Sequence, residues 1–202
     1  MYRLQKIDEL YLPLYKYLTG EDECYFFMNY TPPVSENKTP ENSIIMNYKK
    51  KMDRRDQKDW KWKGIEIQKV STLFIQNASS IIEPDAILVP VPPSKMKGHD
   101  LYDDRNIQLV KNYCAAHPGT EFRELVTVNA DMPATHEVEK TPQELMEFLT
   151  VDETLCNNPK GQIVIVDDVL RHGAHFNAIK ALLRPRFPNA RFTGLFIART
   201  QH

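Results

Sequence analysis

Two segments of this chain are apolar without a break. One is Ala86, Ile87, Leu88, Val89, Pro90 and Val91; the other is Ile163, Val164, Ile165 and Val166. A strand that is apolar on both faces must be buried on both faces, which happens in parallel sheets covered by helices on each side. The intervening pattern agrees. Ile107, Leu109, Val110 and Tyr113 predict a helix over 104–116, ended by His117, Pro118 and Gly119, and Phe122 to Val128 reads as a strand. Phe176 to Phe187 reads as a helix with Pro185 near its end, and Phe192 to Ala198 as a last apolar strand. The expected class is α/β, with a mostly parallel central sheet flanked by helices. Such sheets take ligands beyond the carboxyl ends of their strands, so the loops after Val89 and Val166 are where chemistry is expected.

The first 84 residues read differently, as an N-terminal extension of helix and loop that caps the core formed by 85–202. Leu4, Ile7, Leu10, Tyr11, Leu14, Tyr15 and Leu18 follow a near-helical spacing broken by Pro13. Residues 31–43 are rich in turn formers, and 65–82 carry the amphipathic pattern of Ile67, Val70, Leu73, Phe74 and Ile81. Residues 49–63 are strongly basic and contain Trp60 and Trp62. Three aspartates interrupt that run, which favours a solvated face over a nucleic-acid patch. Residues 131–161 are polar and irregular, a variable flap with a short helix at 142–149, and its polar candidates are His136, Glu137, Glu139, Lys140 and Gln143.

Several classes are disfavoured at once. A chain of 202 residues buries about 70% of its unfolded surface and needs no staples. Cys24, Cys114 and Cys156 lie far apart, which fits neither a disulfide framework nor a cysteine zinc module. The apolar runs are too short to span a membrane, and the start lacks the apolar stretch of a secretory signal. The expectation is a cytoplasmic protein with no membrane partner, in which the sequons at Asn37 and Asn77 carry no meaning. A net charge of −1 gives no global field for nucleic acid.

The most informative stretch starts at Ile163. A buried strand reaches Asp167 and Asp168, a short turn containing Gly173 follows, and a helix begins. Adjacent carboxylates at a strand end can accept hydrogen bonds from neighbouring hydroxyls, as on a ribose. Backbone N–H groups of Gly173, Ala174 and His175 at a helix start suit a phosphate. Other chemistries share parts of this pattern. Receiver domains and Walker B segments end strands in acids, but no G-x-x-x-x-G-K-[ST] loop accompanies this one. His172 and His175 beside two aspartates also suit a metal. A plain surface loop is the remaining reading.

The stretch IVIVDDVLRHGAHFNAIKALL, residues 163–183, resembles the phosphoribosyl pyrophosphate (PRPP) loop of type I phosphoribosyltransferases. Residues 85–97, which include Ser94, Lys95 and Lys97, resemble the strand and pyrophosphate loop of ComF-like and amidophosphoribosyltransferase-like members. Tyr102 to Asn106 stands where those proteins carry an Arg-Gly-Phe-Asn-like segment, and Tyr48-Lys49 is similar to their Tyr-Lys stretch. The likeness covers 85–200 well and 40–84 faintly. The PRPP loop is degenerate: Arg171, His172 and His175 stand where the family has threonines.

The resemblance implies a protein that binds PRPP or another ribose 5-phosphate ligand and transfers the phosphoribosyl group to a nitrogen nucleophile, releasing pyrophosphate. The alternative is a non-catalytic module that senses PRPP or a nucleotide. Asp167 and Asp168 would hold the ribose hydroxyls as the catalytic pair, with Asp168 reaching Mg²⁺ indirectly through Mg–PRPP. Ser94, Lys95, Lys97, Arg105, Arg171, His172, Gly173, Ala174 and His175 would line the substrate site. A homodimer is left open.

Overall fold

The structure, a computed structural model, describes residues 2–32, 39–132 and 140–201. His136, Glu137 and Glu139 of the expected flap, and Asn37, lie outside the described residues. Six strands form the main sheet in the order β1 (Gln5–Lys6), β2 (Glu23–Tyr30), β8 (Arg191–Thr200), β7 (Gln162–Leu170), β3 (Ile87–Pro90) and β4 (Glu121–Phe122). Only the β1–β2 pairing is antiparallel; the others are parallel. The expected α/β class, a mostly parallel sheet between helices, is what the chain adopts. A separate antiparallel pair joins β5 (Val126–Val128) to β6 (Leu149–Val151).

Each sheet face has its own core. On one side α5 (Ala174–Leu183) and α4 (Pro142–Met146) cover a cluster that includes Phe26, Ile163, Ile165, Phe176, Ile179 and Phe196. On the other, α1 (Pro40–Tyr48), α2 (Lys61–Asn77) and α3 (Arg105–Ala116) cover Phe27, Ile45, Tyr48, Phe74, Val164 and Leu195. Ile163 and Ile165 face one core while Val164 and Val166 face the other, which is why the sequence there has no polar position. Among the described residues no helix is long and apolar enough to cross a membrane.

The N-terminal 84 residues depart from the expected helix and loop, because β2 is a full member of the sheet beside β8. Phe26 and Phe27, adjacent and both buried, mark it as a two-faced strand. The near-helical spacing over 1–20 builds no helix. Pro13 sits in a 3₁₀ turn, Leu12–Leu14, and Leu10 is 84% exposed. Of that apolar series only Ile7, Tyr15 and Leu18 are buried, so periodicity there did not mark one face. The single strand expected over 122–128 is two, in different sheets. Helix α5 stops at Leu183, earlier than Phe187, because Pro185 cannot donate to a preceding carbonyl.

Packing is tight where β8 meets β2 and α5. A Cβ on Gly194 would lie 2.8 Å from Cys24 Sγ, 2.9 Å from Phe196 and 3.1 Å from Phe176, all buried side chains. Gly194→Ala should therefore cost about 1–3 kcal/mol by overpacking. Gly64, in α2 with nothing within 4 Å of its added Cβ, is the control. Gly64→Ala should stabilise by up to about 1 kcal/mol. Thermal melts of the two variants should move in opposite directions; a shared shift would mean that the contacts around Gly194 relax freely.

Candidate functional site

Strand β7 does not stop at the acids. It continues to Leu170 on its β8 side, whereas β3 ends at Pro90 opposite Val166. The ladder to β3 closes with the Val91 N–H donating to the Val166 carbonyl, 2.9 Å. Asp167 and Asp168 thus sit on a shoulder, held by β8 on one flank and open on the other to the loop that leaves β3.

Three helix ends converge on that shoulder. Asp168 is 4% exposed. Its Oδ1 accepts from Lys49 Nζ at 2.8 Å, and its Oδ2 accepts from Arg105 Nε at 3.0 Å and from Nη2. Lys49 caps the C-terminus of α1, and Arg105 opens α3. Arg105 also donates through Nη1 to Asp103, whose Oδ2 accepts from Lys63 Nζ at 2.9 Å. The Lys63 ammonium, buried inside α2, donates to the carbonyls of Tyr48 and Lys50 as well, so its three protons are all placed. Tyr48 Oη lies 3.1 Å from the Arg105 carbonyl and 3.0 Å from Asn106 Oδ1, and shares its one proton between them. Asn106 Nδ2 reaches Asp167 Oδ1 at 3.3 Å, and the same oxygen accepts from the Asp168 N–H at 2.7 Å.

The two acids are driven apart. Burial, together with the adjacent Asp168 carboxylate, pushes Asp167 up to about 7. Burial alone would raise Asp168 too, but Lys49 and Arg105 outweigh it and hold its carboxyl well below the usual carboxylate range. Burial lowers the Lys63 ammonium against the pull of Asp103. One group is therefore a proton carrier near neutrality and its neighbour a fixed anion.

The remaining expected site residues divide between two loops. Ser94 is exposed; its carbonyl accepts from the Met132 N–H at 2.8 Å. Lys95 and His99 lie 3.4 and 3.3 Å from Asp131, and Lys97 lies 2.7 Å from Glu124. These lysines meet acids of their own rather than the aspartate pair. After β7, Arg171 is exposed, and His172, Ala174 and His175 are half-buried. Burial lowers the His175 pKa, so its imidazole is neutral at pH 7 and offers a phosphate no charge. Gly173, with φ +86°, starts α5, a conformation that favours glycine. Its open side is filled: an added Cβ would lie 2.7 Å from Leu18 Cδ2.

The partnership of Arg105 with Asp168 was not read from sequence, and neither were Lys63 and Asp103. Tyr48 and Lys49 carried a signal through their resemblance to a Tyr-Lys stretch. Lys63 and Asp103 carried none, since forty residues separate them. Mg²⁺ finds no seat built by the protein. Among the described residues no group of three or more His, Cys, Asp or Glu converges, and both oxygens of Asp168 already hold cations. The donor set does not fit a resident hard cation, which needs several free oxygen ligands.

No family profile matches this chain, and no curated protein matches it. Among solved structures it is similar to the Helicobacter pylori xanthine-guanine-hypoxanthine phosphoribosyltransferase. The identity is 14%, the TM-score 0.36, and the match covers 67% of this chain and 81% of that one. A likeness of that size decides neither ligand nor reaction.

The pH dependence of stability should show both carboxyls. An unfolded aspartate titrates near 3.9. Between about pH 4 and 7 the folded protein keeps a proton on Asp167 that the unfolded chain has released, so this group makes stability fall as pH rises. Asp168 acts oppositely: its contribution is present above about pH 4 and is lost as pH falls through its depressed folded pKa. Asp167→Asn should flatten the decline in melting temperature between pH 5 and 8. Asp168→Asn, which strips Arg105 and Lys49 of a buried anion, should cost about 3–5 kcal/mol at pH 7. Parallel wild-type and Asp167→Asn profiles would refute the Asp167 assignment.

Proposed function

We propose that the shoulder between β3 and β7 binds PRPP or another ligand carrying ribose 5-phosphate, and that the chain transfers the phosphoribosyl group to a nitrogen nucleophile. The bond from C1 of the ribose to pyrophosphate breaks, the leaving pyrophosphate keeps the electron pair, C1–N forms, and the nucleophile's proton goes to solvent. The observation that carries this reading is the pair of adjacent carboxylates at the carboxyl end of β7, beside the end of the parallel neighbour β3. Asp167 and Asp168 would accept from the ribose hydroxyls. Lys49, released from Asp168 Oδ1 by the diol, would face the charge that develops on pyrophosphate, with Arg105 held beside it on Oδ2. Mg²⁺ would arrive on PRPP as part of the substrate. Catalysis would be positioning and charge stabilisation without a covalent nucleophile.

A second reading has its own support. Both Asp168 oxygens are engaged and Leu18 covers Gly173, an arrangement that suits a module which binds and reports without turnover. The two separate cleanly. Calorimetric titration with PRPP, with and without Mg²⁺, should give saturable heat under either. Pyrophosphate release in the presence of candidate bases and amines should accompany it only for the transferase. Absence of heat with PRPP in both conditions would remove the ligand assignment altogether.

The loop after β3 supplies a further test. The ion pairs of Lys95 and Lys97 are at the surface, so their loss should leave stability nearly unchanged. Lys95→Ala with Lys97→Ala should weaken pyrophosphate binding at least tenfold and ribose 5-phosphate binding much less. Equal losses for the two ligands would place this loop elsewhere than at the leaving group.

A further inference from the structure

Among the described residues the buried cations Lys50, Lys63 and Arg123 each meet a carboxylate. Arg199 is as deeply buried, at 5% exposure, and meets none. Its guanidinium stacks 4.1 Å from the Tyr11 ring centroid and 5.1 Å from that of Phe26, with the Tyr15 hydroxyl against it. Its Nε has no hydrogen-bond partner. A guanidinium does not shed its proton, so this charge is held out of water permanently. Ring faces offset part of that cost, but stacking leaves the Nε–H without an acceptor. Buried charges are as a rule paired, and an unpaired one asks what pairs it.

Its position narrows the answer. Arg199 lies opposite Leu170 in the β7–β8 register, one residue before the Arg171–His175 turn into α5. What covers this corner is the chain's own segment 11–18. The Tyr17 N–H donates to the His172 carbonyl at 2.9 Å, Asn177 Nδ2 donates to the Tyr17 carbonyl, and the Leu18 side chain fills the space over Gly173. Tyr11 and Tyr15 stand at the cation itself. The segment holds no regular element longer than a three-residue 3₁₀ turn and ends in Thr19 and Gly20. The Tyr17 hydrogen bonds and Leu18 are among the contacts that fasten it to the loop, and Tyr15 and Leu18 pack into the core beneath.

We propose that Arg199 is the cation of an anion subsite fitted to a phosphomonoester, and that residues 11–18 are a strap displaced when the anion enters. The inference rests on the phosphoribosyl reading for the identity of the ligand, because the subsite adjoins the loop that would receive the phosphate end of a ribose 5-phosphate. The strap makes binding an exchange: Tyr11 and Tyr15 leave the guanidinium, and phosphate oxygens accept from the Nε–H and from the N–H groups that Tyr15 gives up.

The test uses the full chain with three probes: orthophosphate, ribose 5-phosphate and pyrophosphate. In the wild type, ribose 5-phosphate and orthophosphate should speed hydrogen exchange at the Tyr17 amide at least tenfold. Arg199→Met should lose at least tenfold in affinity for both, keep its pyrophosphate affinity within twofold, and melt no lower than the wild type without ligand. Asn177→Ala, which unties the strap, should bind ribose 5-phosphate several-fold more tightly. Arg199→Met with unchanged ribose 5-phosphate affinity would make Arg199 a packing residue and sink the proposal, while leaving the phosphoribosyl reading intact. Wild-type protein that binds PRPP but shows slowed or unchanged exchange at Tyr17 sinks the strap. Wild-type protein that binds neither PRPP nor pyrophosphate removes the wider reading, and an orthophosphate response at Tyr17 would still sustain the anion subsite. Should Arg199→Met fail to fold, the wild-type exchange result alone decides.

Discussion

One carboxylate ties the helical layer to the sheet. Asp168 receives Lys49 from the end of α1 and Arg105 from the start of α3, and Arg105 reaches on through Asp103 to Lys63 in α2. Each helix lies where its apolar face packs, but their ends are brought to one point by charge. A buried network of this kind is stable only when every member is satisfied, and this one nearly is. With Asp167 protonated, three cations face two ionised carboxylates, so the junction keeps one positive charge beyond balance. Such an excess would suit the anionic ligand proposed above. Lys49 and Arg105 hold Asp168 ionised, while burial and the Asp168 charge itself raise its neighbour against their pull.

Much of the sheet was legible because burial on both faces leaves a plain mark. Residues 163–166 and 86–91 could be nothing but central strands, and they set the α/β class. The site's acids were legible for a related reason: Asp167 and Asp168 interrupt an apolar run, and a charge next to a core strand needs a function or a partner. What sequence could not show is which partner. Lys49 and Arg105 stand 119 and 63 residues from Asp168, and no local spacing links them. The N-terminal strand was missed for a different reason. Its neighbours 1–20 show a helical spacing that Pro13 spoils, and β2 itself is a short aromatic run whose pairing with β8 is set by tertiary context. The basic run 49–63 read as a solvated face, and Lys51, Arg54, Arg55, Lys58 and Lys61 are exposed. Lys49, Lys50 and Lys63 from the same run instead turn inward to acids.

The departures from threonine in the loop after β7 look different once the strap is in view. A threonine-lined cradle works when it is empty and faces solvent. Here Gly173 is buried under Leu18, and the His172 carbonyl is bonded to Tyr17. Hydroxyls in that loop would compete with these contacts for the strap's backbone. Burial lowers the His175 pKa, so this histidine does not restore a lost donor as a cation. On the proposed reading, the buried positive charge for an anion at this end would come from the sheet, at Arg199, beside the exposed Arg171 of the loop.

Both ends of the shoulder are therefore covered by the chain itself, one by ion pairs and one by residues 11–18, and the two cations on Asp168 are held unequally. Arg105 is gripped by two carboxylates and has 19% of its side chain exposed. Lys49 makes a single ion pair and has 38% exposed. Screening by water weakens the Lys49 contact more, and a lone ammonium has no second anchor to hold it in place. On the proposed reading, Lys49 would be the group that yields Asp168 Oδ1 first, with Arg105 staying on Oδ2. On the proposed phosphoribosyl reading, a diol arriving at the shoulder would meet one freed carboxylate oxygen on Asp168 and the Asp167 carboxyl, which in its protonated form donates as well as accepts. The released Lys49 ammonium would then stand beside the diol as the first counter-charge for an anion that follows it.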